Sequence, residues 1–128
     1  MLPDKPIITS IGKITGQTDL PKPFAHEVHL LEIHIAGTMY IKNIRKLEPK
    51  INPDMILTFR REIDNEYDIH AIMILSPDGD KLGYVPKAKN EVISNLLDAG
   101  KLIYGKVKEK SIINDYWVKI IVNVYLKE

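Results

Sequence analysis

Three short apolar runs in the middle of the chain, at residues 55–59, 71–75 and 82–85, are separated by two clusters of turn-forming residues. The clusters, at 64–68 and 76–80, are rich in Asp, Asn, Gly and Pro. This punctuation is typical of an antiparallel β-meander in which each apolar run is a strand. The middle run is almost entirely apolar, so we expect a central strand buried on both faces.

The two clusters predict different connections. Residues 76–80 combine Pro77, Asp78 and Gly79, whose preferred backbone angles suit a tight turn, so this cluster predicts a hairpin. Residues 64–68 contain neither glycine nor proline. We therefore expect a longer connection there, held by hydrogen bonds from Asn and Asp side chains to the backbone.

Alternating apolar and polar residues predict further strands at 31–35, 102–108 and 116–126. The basic segment 38–53 is expected to be a loop with one turn of helix. Together with the meander, these segments predict a mainly β fold. A small curled antiparallel sheet or a barrel like the oligonucleotide-binding (OB) fold fits this number of strands, with a helix covering it.

The covering helix is predicted at residues 87–99, with Pro86 in its first turn and Gly100 as its left-handed C-cap. Two sets of residues define its faces. The apolar stripe is predicted to contain Val92, Ile93, Leu96, Leu97 and Ala99, and the polar face Lys89, Asn90, Glu91, Asn95 and Asp98.

The chain divides by composition into a short arm and one domain. Residues 1–27 hold four of the eight prolines, which predicts an extended arm or linker with room for one short strand at 7–14. Residues 28–128 carry the periodic segments and are long enough for a single core.

Charge and composition restrict the kinds of site and the cellular compartment that fit this chain. The net charge is only +1, but segments 37–61 and 81–110 each carry a surplus of four positive charges. There is no cysteine, which excludes disulfides and thiolate metal sites and fits a reducing compartment. No apolar run approaches the roughly 20 residues that span a bilayer, and the N-terminus lacks a signal-peptide core. We therefore expect a cytoplasmic protein without membrane contact.

Catalytic and cofactor motifs are missing from the sequence. It has no Gly-x-Ser-x-Gly elbow and no glycine-rich phosphate loop, so we expect no enzymatic activity and no cofactor. The acidic residues at 62–68 lack the glycine and the bidentate glutamate of a calcium loop. His29 and His34 would lie on opposite faces of one strand, which disfavours a shared metal site.

Aromatic residues beside basic ones are the strongest sign of a binding role. Tyr84 lies close to Lys87 in the sequence, and Tyr67 follows Arg60 and Arg61, while Tyr40 follows a glycine. Binding of single-stranded nucleic acid needs flat rings for the bases and cations for the phosphates. The alternative is that these aromatic residues pack in the sheet or core, as tyrosines often do.

Several of these segments, taken in order, resemble the HIRAN domain family. They are Gly37 followed by Tyr40; Arg-Glu-x-Asp-Asn-x-Tyr-Asp-x-x-Ala-Ile at 61–72; Asp-Gly-x-x-Leu-Gly-Tyr-Val-Pro-Lys at 78–87; and a helix ending Leu-Asp-Ala-Gly at 97–100. The resemblance spans about residues 31–125. It implies an OB-like barrel and, from family members attached to fork-remodelling ATPases, binding of single-stranded DNA by its free 3′ end.

The resemblance also implies roles for individual residues. Tyr40 would stack on a base, Glu62 would lie near the terminal 3′-hydroxyl, Lys87 would contact a phosphate, and Tyr84 would line the same pocket. The DNA-binding members have Arg-Tyr-Tyr where this chain has Met-Tyr-Ile at 39–41, so one phosphate contact and one ring are absent. A structural alternative for Glu62 is a surface ion pair with Arg60 or Arg61.

These observations predict a non-enzymatic module that binds single-stranded DNA or 3′ ends through an aromatic and basic pocket. A helicase or nuclease is the kind of larger partner expected, in DNA repair or replication. The alternatives are a protein-interaction or structural domain that has lost the DNA pocket, and, third, an enzyme with a novel site. The candidate site residues are Tyr40, Arg60, Arg61, Glu62, Tyr67, Tyr84 and Lys87.

Overall fold

The computed structural model of the chain describes residues 26–128. The predicted arm and its strand at 7–14 lie outside these residues, so the division at residue 27 stays a prediction. The elements in chain order are β1 (Glu27–His34), a 3-10 turn (Thr38–Tyr40), α1 (Ile44–Leu47), a second 3-10 turn (Glu48–Lys50), β2 (Ile56–Arg61), β3 (Ile72–Leu75), β4 (Lys81–Tyr84), α2 (Lys87–Asp98), β5 (Leu102–Ile113) and β6 (Trp117–Lys127).

In the described part of the chain, six antiparallel strands form one curled sheet in the order β1-β6-β5-β2-β3-β4. The meander β2-β3-β4 is confirmed, and so is the mainly β fold with a covering helix. The two edges of the sheet meet just beyond β1, where Ala36 and Tyr84 exchange two backbone hydrogen bonds of 2.8 and 2.9 Å. The sheet is therefore a half-barrel that touches itself at one point.

The core lies inside this curl. Along β6, Val118, Ile120, Val122 and Val124 are buried, in agreement with the predicted alternation. They pack with buried residues of the other strands and of α2, including Ile33, Leu57, Ile72, Ile74, Leu82 and Ile93. β5 extends to Ile113, five residues further than predicted. The turn after it is tight because Asn114 and Asp115 both adopt positive φ, as in hairpin turns of type I′.

The predicted helix is present, but its buried face is different. Val92 is exposed, whereas Asn90 and Ser94 are buried beside Ile93. The helix therefore buries a partly polar face, because Asn90 donates a hydrogen bond to Asp68 in the loop between β2 and β3. Pro86 is the N-cap residue and not part of the first turn.

The helix ends as predicted. Gly100 has a φ of 87°, and its N–H donates to the carbonyl of Leu97 while the N–H of Lys101 donates to that of Leu96. These two bonds form a Schellman motif, in which a left-handed residue satisfies the last carbonyls of a helix.

A β-bulge overturns the prediction about the histidines. The register between β1 and β6 shifts between His29 and Leu31, so His29 pairs with Tyr125 and His34 with Ile121. One extra residue in β1 places both histidines on the same face of the sheet. They are still far apart along the strand, and no cluster of three metal-binding side chains occurs within residues 26–128.

Candidate nucleic-acid interface

An open pocket of about 670 Å³ lies beside the point where the two edges of the sheet meet. Its walls come from the turn after β1, the loop between β2 and β3, the end of β4 and the start of α2. The lining residues are Ala36, Tyr40, Asn65, Tyr67, Asp68, Ala71, Tyr84, Val85, Lys87 and Asn90. The residues with charged side chains in this lining are Asp68 and Lys87.

Tyr40 is held at the pocket by a short, anchored turn. Gly37 adopts a left-handed φ of 75°, which a residue without a Cβ tolerates, and it starts the 3-10 turn that ends at Tyr40. The buried hydroxyl of Thr38 donates a 2.6 Å hydrogen bond to the carbonyl of Val118 in β6. This bond fixes the turn to the sheet while the Tyr40 side chain remains outside, so that the residue is 84% exposed.

Tyr67 is held by the side chain of Asn65. The Asn65 Oδ1 atom accepts hydrogen bonds from the N–H groups of Tyr67 and Asp68, at 2.8 and 2.9 Å. These contacts have the form expected for the loop at 64–68, in which an Asn side chain replaces glycine and proline as the turn former. Tyr67 is 85% exposed, so a second ring stands in solvent at the same pocket.

Glu62 is bonded to two of the lining residues but does not line the pocket itself. Its Oε1 atom accepts hydrogen bonds from the Asn65 side-chain amide at 2.7 Å and from the Tyr84 hydroxyl at 2.9 Å. The Lys81 ammonium in turn donates to the Tyr84 hydroxyl at 2.7 Å. The Asn65 bond, followed by the Tyr84 bond and the charge of Lys81, lowers the pKa of Glu62 despite its partial burial.

Asp68 is the carboxylate that faces the pocket. Its two oxygens accept hydrogen bonds from the N–H of His70 at 2.9 Å and from the buried Asn90 side chain at 2.8 Å. The His70 bond is the largest cause that lowers the pKa of Asp68, and the Asn90 bond and the nearby charge of Lys87 act in the same direction. A carboxylate offers about four acceptor positions, so further donors can still bind.

The two arginines lie elsewhere. The Arg61 guanidinium donates to the carbonyls of Ala71 and Ile69, both at 2.9 Å, and its Nε is 3.0 Å from Oδ1 of Asp98 on α2. It therefore clamps the β2-β3 loop to the helix. Arg60 is exposed on β2 and does not line the pocket.

The structure thus brings together four predicted site residues, Tyr40, Tyr67, Tyr84 and Lys87, with Glu62 directly behind Tyr84. Neither Arg60 nor Arg61 pairs with Glu62. The surface ion pair considered for Glu62 from the sequence is therefore not present. Four further polar residues that line or adjoin the pocket were not predicted from the sequence as site residues. They are Asn65, Asp68, Lys81 and Asn90. Asn65 and Asp68 belong to the motif at 61–72, but nothing in the sequence links Asn90 to them.

Fold and pocket together define a small half-barrel domain with a surface pocket of tyrosines, a carboxylate and a lysine at its closing point. The family model of the HIRAN domain matches residues 28–128, so the chain belongs to the HIRAN family.

Several solved structures share this fold. A protein from Lactobacillus plantarum aligns with a TM-score of 0.71 at 24% identity, covering 80% of this chain and 97% of the other. The HIRAN domain of human HLTF aligns with a TM-score of 0.59 at 21% identity, covering 77% and 76%. The HLTF HIRAN domain in its DNA-bound conformation aligns with a TM-score of 0.53 at 17% identity, covering 83% and 84%. The search of curated proteins gave no match.

Among the described residues, no helix is long and apolar enough to cross a membrane.

Proposed function

We propose that this chain is a non-enzymatic module that binds the free 3′ end of single-stranded DNA. The binding site is the pocket lined by Tyr40, Tyr67 and Tyr84, called the tyrosine pocket below. The observation that carries the proposal is the presence of two almost fully exposed tyrosines, Tyr40 and Tyr67, at one pocket that also contains an ionised carboxylate. A tyrosine that stabilises the fold is normally at least half buried. Rings that stand in solvent beside a pocket are instead suited to stack on bases, at about 1 to 3 kcal/mol per base.

The carboxylate gives this pocket a preference for strand ends. A terminal 3′-hydroxyl is a hydrogen-bond donor that Asp68 can accept, whereas a continuing strand would bring a phosphate and be repelled. Lys87 lines the same pocket, and in this proposal its ammonium meets the preceding phosphate. We assign the hydroxyl contact to Asp68 because it lines the pocket, and we assign Glu62 the role of positioning Tyr84 and Asn65.

Family membership supports the same class of ligand. The HLTF HIRAN domain has a DNA-bound conformation, and this chain shares its fold. Met39 and Ile41 depart from the Arg-Tyr-Tyr pattern, so Tyr67 would have to supply the second stacking ring. In the cell we propose a cytoplasmic role in DNA repair or replication, in which the module holds an end for a helicase or nuclease.

Fluorescence anisotropy at low salt tests this proposal with three labelled oligonucleotides: a single strand with a free 3′-hydroxyl, the same strand 3′-phosphorylated, and a blunt duplex. We expect the free end to bind most tightly. Asp68→Asn should abolish the preference over the phosphorylated strand, while Glu62→Gln should weaken both strands alike. Glu66→Gln, at an exposed carboxylate of the same loop, serves as the control. Equal binding to all three oligonucleotides would rule out end capture.

A protein-binding role is the second candidate, and one observation favours it. Within the pocket lining Lys87 is the single cation and Asp68 offsets it, so the pocket itself has no basic surplus. Exposed tyrosines without converging cations also suit protein interfaces. Failure of all three oligonucleotides to bind, with the protein folded, would favour this role.

A further inference from the structure

A second cleft, of about 290 Å³, lies on the other side of the first turn of α2. It is formed where the start of the helix meets β1 and β6. The lining residues are Glu32, Ile33, His34, Pro86, Ala88, Lys89, Lys119 and Ile121. None of these residues lines the tyrosine pocket, but Pro86 stands between Val85 and Lys87, which do.

The two openings therefore share one turn of helix. Residues two apart in a helix point in directions about 160° apart. Lys87 accordingly lines the tyrosine pocket and Lys89 lines the second cleft. A strand that leaves the pocket past Lys87 needs to travel only around this turn to reach Lys89.

The second cleft carries a surplus of positive charge, unlike the first. Lys89 and Lys119 both line it, and His34 adds an imidazole N–H. Its single carboxylate, Glu32, forms a 2.8 Å ion pair with Lys108. No ion pair joins Lys89 or Lys119 to a carboxylate of residues 26–128.

The chemistry of the cleft fits a phosphate group. The two lysines and the histidine among the lining residues offer donors and positive charge to an anion. The adjoining first turn of α2 contains no acidic residue and has no side-chain cap, so nothing there opposes an anion. The lining contains no Tyr, Trp or Phe, which fits a backbone contact and not base stacking.

On the basis of the proposed function, we infer that this cleft is a second phosphate subsite, which takes the backbone of the strand as it runs 5′-ward from the tyrosine pocket. The subsite lengthens the bound segment and adds affinity that does not depend on the 3′ end. Short strands would fill the tyrosine pocket alone. Longer strands would also reach Lys89 and Lys119.

A double variant, Lys89→Gln with Lys119→Gln, tests the inference. The matched control is Lys101→Gln with Lys127→Gln, two lysines that line a different surface pocket together with Glu128. Anisotropy is measured for single strands of about three and about ten nucleotides, each with a free and with a phosphorylated 3′ end, between about 50 and 200 mM salt. Thermal unfolding of each variant confirms that the fold is retained.

For the long strand, we expect the test variant to lower the salt slope by about 1.4. Between about 50 and 200 mM salt, the factor by which its affinity falls should therefore be about seven times smaller than for the wild type. The short strand should bind the test variant as it binds the wild type. An equal change in the control variant, or in the short strand, would overturn the subsite. Failure of the proposed function looks different: the short strand would then show no preference for a free over a phosphorylated 3′ end. If neither strand binds, both inferences fall.

Discussion

The hydroxyl of Tyr84 donates a 2.9 Å hydrogen bond to Oε1 of Glu62, which joins the end of β4 to the loop that follows β2. The same oxygen receives the Asn65 amide, and Asn65 in turn holds the backbone of Tyr67. One carboxylate thus ties together two walls of the pocket. The arrangement depends on the charge of Glu62, because a protonated carboxyl group is a weaker acceptor.

Acid should therefore loosen the pocket before it unfolds the sheet. Hydrogen bonds lower the pKa of Glu62 below its ordinary value of 4.5 and that of Asp68 below 3.8. A carboxyl group with a depressed folded-state pKa stabilises the protein above its unfolded pKa, and this contribution is lost as the pH falls through the folded value. We expect the double variant Glu62→Gln, Asp68→Asn to be less stable than the wild type near neutral pH.

Urea unfolding at several pH values checks this expectation. The difference in unfolding free energy between wild type and double variant should shrink as the pH falls from about 6 to about 3. Glu66→Gln should follow the wild type throughout. A difference that stays constant over this range would show that the two carboxylates do not couple folding to pH.

Lys87 and Arg61 should respond differently to substitution, although both are basic residues of the predicted site. Lys87→Gln should lower the salt slope of single-strand binding by about 0.7, as expected for one lost phosphate contact. Arg61→Gln should leave that slope unchanged but lower the unfolding free energy by about 2 kcal/mol, because its hydrogen bonds to Ala71, Ile69 and Asp98 are lost. A reduced slope in Arg61→Gln would mean that this arginine reaches DNA.

Local sequence patterns predicted the strands, because burial in a curled sheet follows a period of two that is visible in the sequence of β6. They also predicted the Asx-type connection, because Asn65 acts on residues two and three positions away. Where the partner is distant in sequence, prediction failed. Asn90 is buried because Asp68 accepts its amide from 22 positions away, and a helical periodicity alone assigns it to solvent.

The same limit applies to the candidate site. Arg61 looked like a phosphate contact because it precedes an aromatic loop, yet Asp98, 37 positions later, takes its guanidinium. The bulge in β1 likewise has no marker in the sequence, so the common face of His29 and His34 could not be predicted. Tyr40 and Tyr67 were each predicted to be site residues. Their position beside one another could not be predicted, because only the fold brings them to the same pocket.

Removal of either exposed ring should weaken binding without affecting the fold. We expect Tyr40→Ala and Tyr67→Ala each to reduce the affinity for a single strand by about 1 to 3 kcal/mol, measured by anisotropy. The corresponding phenylalanine variants should retain most of the affinity, because stacking needs the ring and not the hydroxyl. Tyr116→Ala is the control, since Tyr116 is 67% exposed but does not line the pocket. An equal loss in Tyr116→Ala would indicate general surface adhesion.

The closing point of the half-barrel allows almost no added volume. A Cβ placed on Gly83 would lie 2.4 Å from the carbonyl oxygen of Ala36 and 2.6 Å from Cγ2 of Ile35, and Gly83 also has a φ of 152°. Gly83→Ala must therefore separate the strands or strain the backbone. We expect it to lower the unfolding free energy by about 2 to 5 kcal/mol.

Gly79 provides a matched control for this substitution. It has a positive φ of 89°, but a Cβ there would meet nothing within 4 Å. Gly79→Ala should therefore cost only the backbone strain, about 1 to 2 kcal/mol. Because Tyr84 follows Gly83 directly and hydrogen-bonds to Ala36, Gly83→Ala should also weaken single-strand binding at a temperature where the variant is still folded, whereas Gly79→Ala should not. Equal unfolding free energies for the two variants would show that contact between the sheet edges at Ala36 and Tyr84 does not stabilise the fold.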